Sequence, residues 1–334
     1  MQSLPDSGTV EGMGESGTGD VAVLGAGVIG LTTAVTLAER GRRVLVRTAE
    51  PPGATTSAAA GALWGPWLAE PRDRVLRWAT HTLDVLTRLA TQHGTGVRMT
   101  AGKDISASLH QPPAWFGLLP DARPCRPSEL PADYPHGVRY TAPLVDMPAH
   151  LSYLTQRLHA AGGTIEISPV ATLQEAAALA PIVLNCTGMG ARALAGDGTL
   201  CPVRGQQLVT TNPGISQFTE VDTGDSPDLI AIYPHEDHLV LGGTAEPGRW
   251  DRQPSPQTAA AILARTTALE PRLRTAEIIE HRVGLRPTRN KVRLEEQRGT
   301  GHARLIHNYG HGGAGVSLVW GCALEVATLI DAPA

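Results

Sequence analysis

The stretch DVAVLGAGVIG, Asp20 to Gly30, constrains this chain more than any other. DVAVL reads as a buried strand, and Gly25, Gly27 and Gly30 follow it at GxGxxG spacing. Leu31, Ala34, Val35 and Ala38 then recur at helical spacing, Gly41 offers a stop, and RRVLVR from Arg42 to Arg47 reads as the next strand. Each glycine has a mechanical reason. Gly25 permits the tight turn, Gly27 lets backbone approach a pyrophosphate, and Gly30 lets helix and strand pack closely. The helix start, with Val28 and Ile29, supplies unpaired N–H groups and positive partial charge. The glycines alone are a weak signal. Between a strand and an amphipathic helix they predict an α/β Rossmann-type dinucleotide-binding unit.

One position disagrees with that pattern. The second strand of such a unit ends near an acidic residue that bonds the adenosine ribose. Here it ends VRTAE, with Arg47 where the carboxylate is expected. Three readings stay open: Glu50 reaches back, Arg47 and Thr48 contact the adenosine side in another way, or the arginine marks NADP.

Length and composition bound the rest. A chain of 334 residues implies two domains or one large interleaved unit. A net charge of −4 gives no reason to expect nucleic acid as a partner. Cys125, Cys186, Cys201 and Cys322 are scattered and form no CxxC pair, so neither a zinc site nor a disulfide framework is expected. No apolar run reaches the roughly 18 residues needed to span a bilayer. Residues 1–18 are polar, acidic and glycine-rich, unlike a signal peptide, and read as a disordered extension. Cytoplasmic location is the default expectation, with no membrane association; a homodimer is left open.

Further along, Leu76, Ala79, Leu83, Leu86 and Ala90 mark the packing face of a long helix, and Leu151, Leu154, Leu158 and Ala161 mark another. TIEI and PIVLN read as strands; Thr187 follows the second of these, where strand ends of a doubly wound sheet face the ligand. From Gln206 onward the character changes. QQLVTT, LIAIYP, HLVLGG, IIEHRVGLRP, KVRLEE and ARLIHN read as short strands of a mostly antiparallel sheet. The chain then returns to glycines at HNYGHGGAG and a final apolar helix. His307 and His311 flank a turn with no third ligand in view, so they read as structural, and no metal is expected.

Five motifs in order, VLGAGVIGLTTA, TTSAAAGALWGPW, VLNCTGMGARAL, HRVGLRPTR with VRLE, and HNYGHGGAG with WGCALE, resemble the FAD-dependent D-amino-acid oxidases, a group that includes D-aspartate oxidase and glycine oxidase. The resemblance runs from about Asp20 to Ile330. It implies a discontinuous FAD-binding domain (19–62, 150–200 and 284–334) interleaved with an α+β substrate domain (63–149 and 201–283). It implies FAD as cofactor, contacted by Gly25, Gly27, Val28, Ile29, Gly30, Arg47 and Thr48 near the first turn. Thr55, Thr56, Ala60, Gly61, Ala62, Leu63, Val170 and Thr187 are the contacts from the middle of the chain. Gly312, Gly313, Gly315, Val316 and Ser317 are those from the last glycine stretch.

An amino-acid carboxylate needs a planar, paired donor that stays charged, which is arginine's chemistry. Arg286 matches the family's carboxylate-binding arginine; Arg289 and Arg293 on the same segment are weaker candidates. Gly313 matches the residue whose carbonyl accepts from the substrate amino group. The implied reaction is oxidative deamination of an amino acid by hydride transfer to FAD, with oxygen as acceptor, giving a 2-oxo acid, ammonia and hydrogen peroxide. Two departures bear on the substrate. Ala231 stands where a tyrosine is common, with Tyr233 on the same face of the strand, and Gly65 stands where a larger polar residue is frequent. Two small residues predict a bulky or extended D-amino acid. The alternatives are another carboxylate-bearing amine (glycine, an N-substituted or a cyclic imino acid), an NADP-dependent reductase motivated by Arg47, and a flavin-binding protein without turnover.

Overall fold

The computed structural model describes residues 20–108, 113–224, 226–297 and 303–332; the extension at 1–18 lies outside them. In chain order the first elements are β1 (Val21–Leu24), α1 (Val28–Ala38), β2 (Val44–Thr48), α2 (Arg72–Leu89), β3 (Val97–Ser106), β4 (Arg123–Pro124) and β5 (His136–Val145). Next come α3 (Met147–Ala160), β6 (Thr164–Ile167), α4 (Leu173–Ala177), β7 (Ile182–Asn185), α5 (Ala191–Leu194), β8 (Cys201–Thr211) and β9 (Phe218–Asp222). The last are β10 (Asp228–Pro234), β11 (His238–Thr244), β12 (Glu246–Pro247), α6 (Pro256–Leu269), β13 (Ile278–Gln297), β14 (Arg304–His311) and α7 (Gly315–Asp331).

The strands join in one mixed sheet, ordered β4-β5-β3-β9-β10-β11-β8-β13-β14-β7-β1-β2-β6, with β12 beside β8. From β14 to β6 every pairing is parallel, the doubly wound pattern expected of the glycine-turn unit. From β14 back to β9 the pairings are antiparallel. β3 then joins β9 in parallel and β5 in antiparallel.

IIEHRVGLRP and KVRLEE, read as two strands, form one continuous 20-residue strand, β13. Its first part pairs with β8 and its second with β14, with a register shift between Thr288 and Arg293. Pro287 and Asn290 therefore mark a change of partner rather than an end, since a bulge re-aims a strand without stopping it. This strand carries Arg286 where the antiparallel and parallel halves meet.

The parallel half is covered by helices. β1 is fully buried, and α1 is buried on most of its surface because α7 and α3 both pack against it. The expected packing face of α2 is rotated by about one residue. Val75, Trp78, Ala79, Thr82, Leu86 and Leu89 face inward, while Leu76 is exposed. The cause is α7: a Cβ on Gly321 would stand 2.3 Å from the Trp78 Cα, and the Gly321 amide donates to the Thr82 hydroxyl at 3.1 Å. Backbone-close helix packing of this kind needs a glycine.

Candidate active site

The glycine turn closes as its sterics require. Gly25 has φ +102°, and a Cβ there would lie 2.6 Å from the Cys186 carbonyl oxygen. A Cβ on Gly30 would lie 1.9 Å from the Gly25 carbonyl oxygen. Gly27 caps α1 with no side-chain cap, and the first turn has no acidic residue, so no protein carboxylate neutralises the positive helix end. The Val28 amide donates to the Ser57 hydroxyl at 2.9 Å, tying the 55–63 loop to the turn. Ser57 lies inside TTSAAAGALWGPW, but no local signal in the sequence marks it as a contact to the turn.

At the end of β2, Thr48 accepts from the Ala26 amide at 3.3 Å and donates to the Glu50 carbonyl at 2.8 Å. Arg47 turns toward β6. Its guanidinium donates to Ser168 Oγ at 2.7 Å and to Glu166 at 3.2 Å. Glu50 does not reach back: its carboxylate pairs with Arg252 at 2.7 Å. The arginine that raised the NADP reading is thus already held by protein groups.

The two glycine-rich segments meet. A Cβ on Gly315 would lie 3.8 Å from the Ile29 side chain, and the Gly65 amide donates to the Ser317 hydroxyl at 2.9 Å. Val316 and Ser317 are buried in the first turn of α7, and Gly312 has φ +55° with its amide on the Pro287 carbonyl at 2.9 Å. In the 55–63 loop, Thr55 donates to the Pro52 carbonyl at 2.8 Å, and the Thr56 methyl would lie 3.2 Å from a Cβ on Gly284. A Cβ on Gly61 would meet the Tyr233 ring at 2.5 Å; Ala60 and Ala62 pack on the core, and Leu63 bridges to Leu144. Thr187 donates to Asn185 Oδ1 at 2.7 Å, and Val170 packs in the small core under β1 and β7. Cradles that a single Cβ would fill, beside an uncapped helix start, fit an extended anionic dinucleotide.

β13 carries four arginines, and three are spent: Arg282 pairs with Glu280 at 2.9 Å. Arg289 pairs with Asp197 at 2.9 Å, and Arg293 bonds Glu295 and the Tyr309 hydroxyl, both at 2.8 Å. Arg286 differs. It donates to the Thr244 carbonyl at 2.9 Å and pairs with no carboxylate among the described residues. Its guanidinium lies on Gly205, where a Cβ would come within 2.5 Å, and its Cδ is 3.7 Å from the Cβ position of Gly313. Burial lowers its pKa from the ordinary guanidinium value. A buried cation without a protein counter-ion is costly, and an anionic ligand would offset that cost.

Asp197 also accepts from the Tyr309 hydroxyl at 2.9 Å. Burial alone would raise its pKa, but hydrogen bonds from Thr199 and Tyr309 and the charge of Arg289 outweigh it and hold the carboxyl well below the usual range. A depressed folded-state value contributes stability that is complete above the unfolded value, near 3.8, and lost as pH falls through the folded one. Asp197→Ala should therefore cost about 2–3 kcal/mol at neutral pH, discounted because Arg289 is partly exposed. The gap in melting temperature between variant and parent should narrow only below pH 3.8. A gap that closed at pH 6 would contradict this.

The sheet face beside Arg286 holds Ala231 and Tyr233 from β10. Ala231 lies opposite Gly242 on one side and Glu220 on the other. Tyr233 donates to Glu220. Gln207 has its amide 3.2 Å from a Cβ on Gly61, and its Oε1 is buried without a partner among the described residues. The space beside Gly65 is taken by Trp67 and Trp115, whose indoles a Cβ would meet at 3.0 and 3.3 Å. Glu220, Gln207 and Gly205 were not found from sequence. They precede or follow their partners by many residues, and only strand alternation read in the right register would have put them on this face.

The two histidines are held structurally. His307 bonds Asn185 at 3.2 Å and Gln297 at 2.9 Å, and His311 lies 3.6 Å from the Cys322 sulfur. Burial pushes both down to about 4, so both are neutral at pH 7. The ligand atoms of Asp146, His235 and His238, which sequence did not bring together, lie within 4.8 Å of one another between the start of α3 and the β10–β11 hairpin. Among the described residues no helix is long and apolar enough to cross a membrane.

The model of a family described as FAD dependent oxidoreductase matches residues 20–329. A D-amino-acid oxidase of Rubrobacter xylanophilus is 48% identical over 311 residues, 93% of this chain and 95% of that one. A D-amino-acid oxidase of Streptomyces coelicolor is 47% identical over 313 residues, 93% and 96% of the two chains. The crystal structure of glycine oxidase from Geobacillus kaustophilus shares the fold, with a TM-score of 0.78 at 21% identity over 94% of each chain.

Proposed function

Since the chain belongs to the FAD dependent oxidoreductase family, we propose a reading of the site built on that membership. The protein is an FAD-dependent D-amino-acid oxidase. One observation carries the assignment of residues: Arg286 lies without a carboxylate partner beside the side-chain-free backbone of Gly313. Arg286 takes the substrate carboxylate in paired hydrogen bonds, and the Gly313 carbonyl accepts from the substrate amino group. With both ends held, the Cα–H bond has one orientation. The protein contributes positioning and exclusion of water, not a proton relay.

The 25–30 turn with Ser57, the 55–63 loop and the 312–317 segment hold the FAD, with Thr48 bracing the turn and Arg47 bracing β6 at the adenosine end. Bound there, FAD would supply two-electron acceptor chemistry, with oxygen as the final acceptor. The oxidised substrate is an imine; water then releases ammonia and leaves a 2-oxo acid, while oxygen becomes hydrogen peroxide.

Ala231 and Gly242 lie opposite each other on the face that carries Arg286 and place nothing larger than a methyl there, which supports a bulky or extended side chain on the substrate. The yellow holoprotein should bleach without oxygen when a large D-amino acid is added and not with its L-enantiomer. In steady state, kcat/KM for large D-amino acids should exceed that for D-alanine by about tenfold or more. D-Alanine as the best substrate would refute the size preference. A flavin that no amino acid bleaches would refute the residue assignments.

A further inference from the structure

Beyond Ala231 and Gly242, the same sheet face ends in carboxylates. β3 and β9 are parallel, with Asp104 opposite Glu220, and Glu220 is opposite Ala231 on β10. Alternation puts Asp104, Glu220, Ala231, Tyr233, Gly242 and Gly205 on the side that carries Arg286. The guanidinium reaches over β8 to the Thr244 carbonyl at the end of β11. From β11 to β9 is two strand spacings, roughly 10 Å. One end of this groove carries a guanidinium and the other a pair of carboxyl groups, one of which accepts from the Tyr233 hydroxyl.

Among the described residues no lysine or arginine pairs with Asp104 or Glu220. Burial, with Glu220 and Asp222 alongside, pushes the Asp104 carboxyl up to about 8, and burial raises Glu220 as well. A second observation points to a ligand. Tyr140 is 1% exposed, its hydroxyl has no hydrogen-bond partner among the described residues, and the charges of Glu220 and Asp104 act on it. Tyr140 lies opposite Gly102 on β3, two residues from Asp104, so alternation puts it on the same face. Phe116 and Phe218 flank Tyr140, each with ring centroids 5.0 Å away, and they are the only phenylalanines in the chain. Aromatic faces beside carboxylates suit an apolar stem that ends in a cation.

We propose that the side-chain end of the substrate site is built for a cationic group, so that the preferred substrates are D-amino acids with a long basic side chain, lysine-like or arginine-like. The inference rests on the oxidase reading above and deepens it. Arg286 holds the α-carboxylate, and Glu220 with Asp104 holds the distal ammonium or guanidinium. Ala231 and Gly242 leave room for the methylenes between. The Tyr233 hydroxyl donates to Glu220 and orients its carboxylate toward the groove.

The test uses the FAD-loaded enzyme with D-lysine and D-arginine against D-norleucine, which offers a similar stem without charge. The ratio of kcat/KM, basic over neutral, should exceed about tenfold. Glu220→Gln should reduce that ratio about tenfold or more, and Asp104→Asn should reduce it to a lesser degree. Binding gives a readout free of turnover: 6-aminohexanoate should perturb the flavin spectrum at lower concentration than hexanoate, and Glu220→Gln should erase the difference. D-Norleucine equal to or better than both basic substrates overturns the inference and leaves the oxidase reading standing. So does a ratio that neither variant moves in yellow, folded protein. If no D-amino acid of any charge reduces the flavin, the oxidase reading falls first and this inference with it.

Discussion

Arg286→Leu is expected to purify as a folded yellow protein that has lost roughly a thousandfold in kcat/KM for its best D-amino acid. The magnitude follows from removing a charged, paired hydrogen bond to a carboxylate in a desolvated site. The stability effect should run the other way. Arg286 is desolvated, bonds one protein carbonyl and has no acidic partner among the described residues. An apolar side chain there relieves an uncompensated charge, so the melting temperature should stay level or rise. Arg286→Lys should recover only part of the activity, because an ammonium cannot offer two coplanar donors. Thermal melts and flavin content separate this result from simple misfolding. Full activity in a yellow Arg286→Leu protein would remove the basis of the site assignment.

Gly30→Ala is expected to yield little or no flavin-loaded protein. The added Cβ would stand 1.9 Å from the Gly25 carbonyl oxygen and 3.5 Å from the Cys186 Cβ. The obstacle is backbone, with no flexible side chain to swing aside, so the turn must open by more than the core allows. A cost of about 3 kcal/mol or more is expected. Gly41→Ala is the matched control. Gly41 has φ +84° but nothing within 4 Å of its Cβ position, so only backbone strain of about 1–2 kcal/mol is incurred. The control should keep its flavin. The ratio of flavin to protein absorbance in the two purified variants decides the matter; equal loading would mean that Gly30 is not needed for close packing.

Much of the parallel half was legible in the chain itself. The strand, turn and helix at 20–38 are encoded by neighbouring residues, through alternation, a 3.6-residue period and glycines at sites of close approach. The helices at 72–89 and 147–160 were found for the same reason, although the face of α2 was misjudged. Leu76 fits the period as well as Val75 does, and only the approach of Gly321 to Trp78 selects between them. The split of β13 into two strands was a similar error: Pro287 looks like an end until two different neighbours are seen on either side of it.

The site divides along the same line. Arg286 was legible from its place in an apolar strand and from its motif, but Arg289 and Arg293 share that strand, and their release from candidacy came from Asp197, Glu295 and Tyr309. Glu220 and Asp104 gave no local signal, because an acid on a half-buried strand reads as a solvated position. By itself the sequence determined the nucleotide-binding turn, the change from parallel to antiparallel winding, and the residue types available to grip an amino acid. Tertiary structure alone decided which arginine is left without an acid and which acids look across the groove at it. The reason is physical: periodicity is written between neighbours a few residues apart, whereas the pairing of charges across five strands depends on register and sheet order, which no short stretch of chain contains.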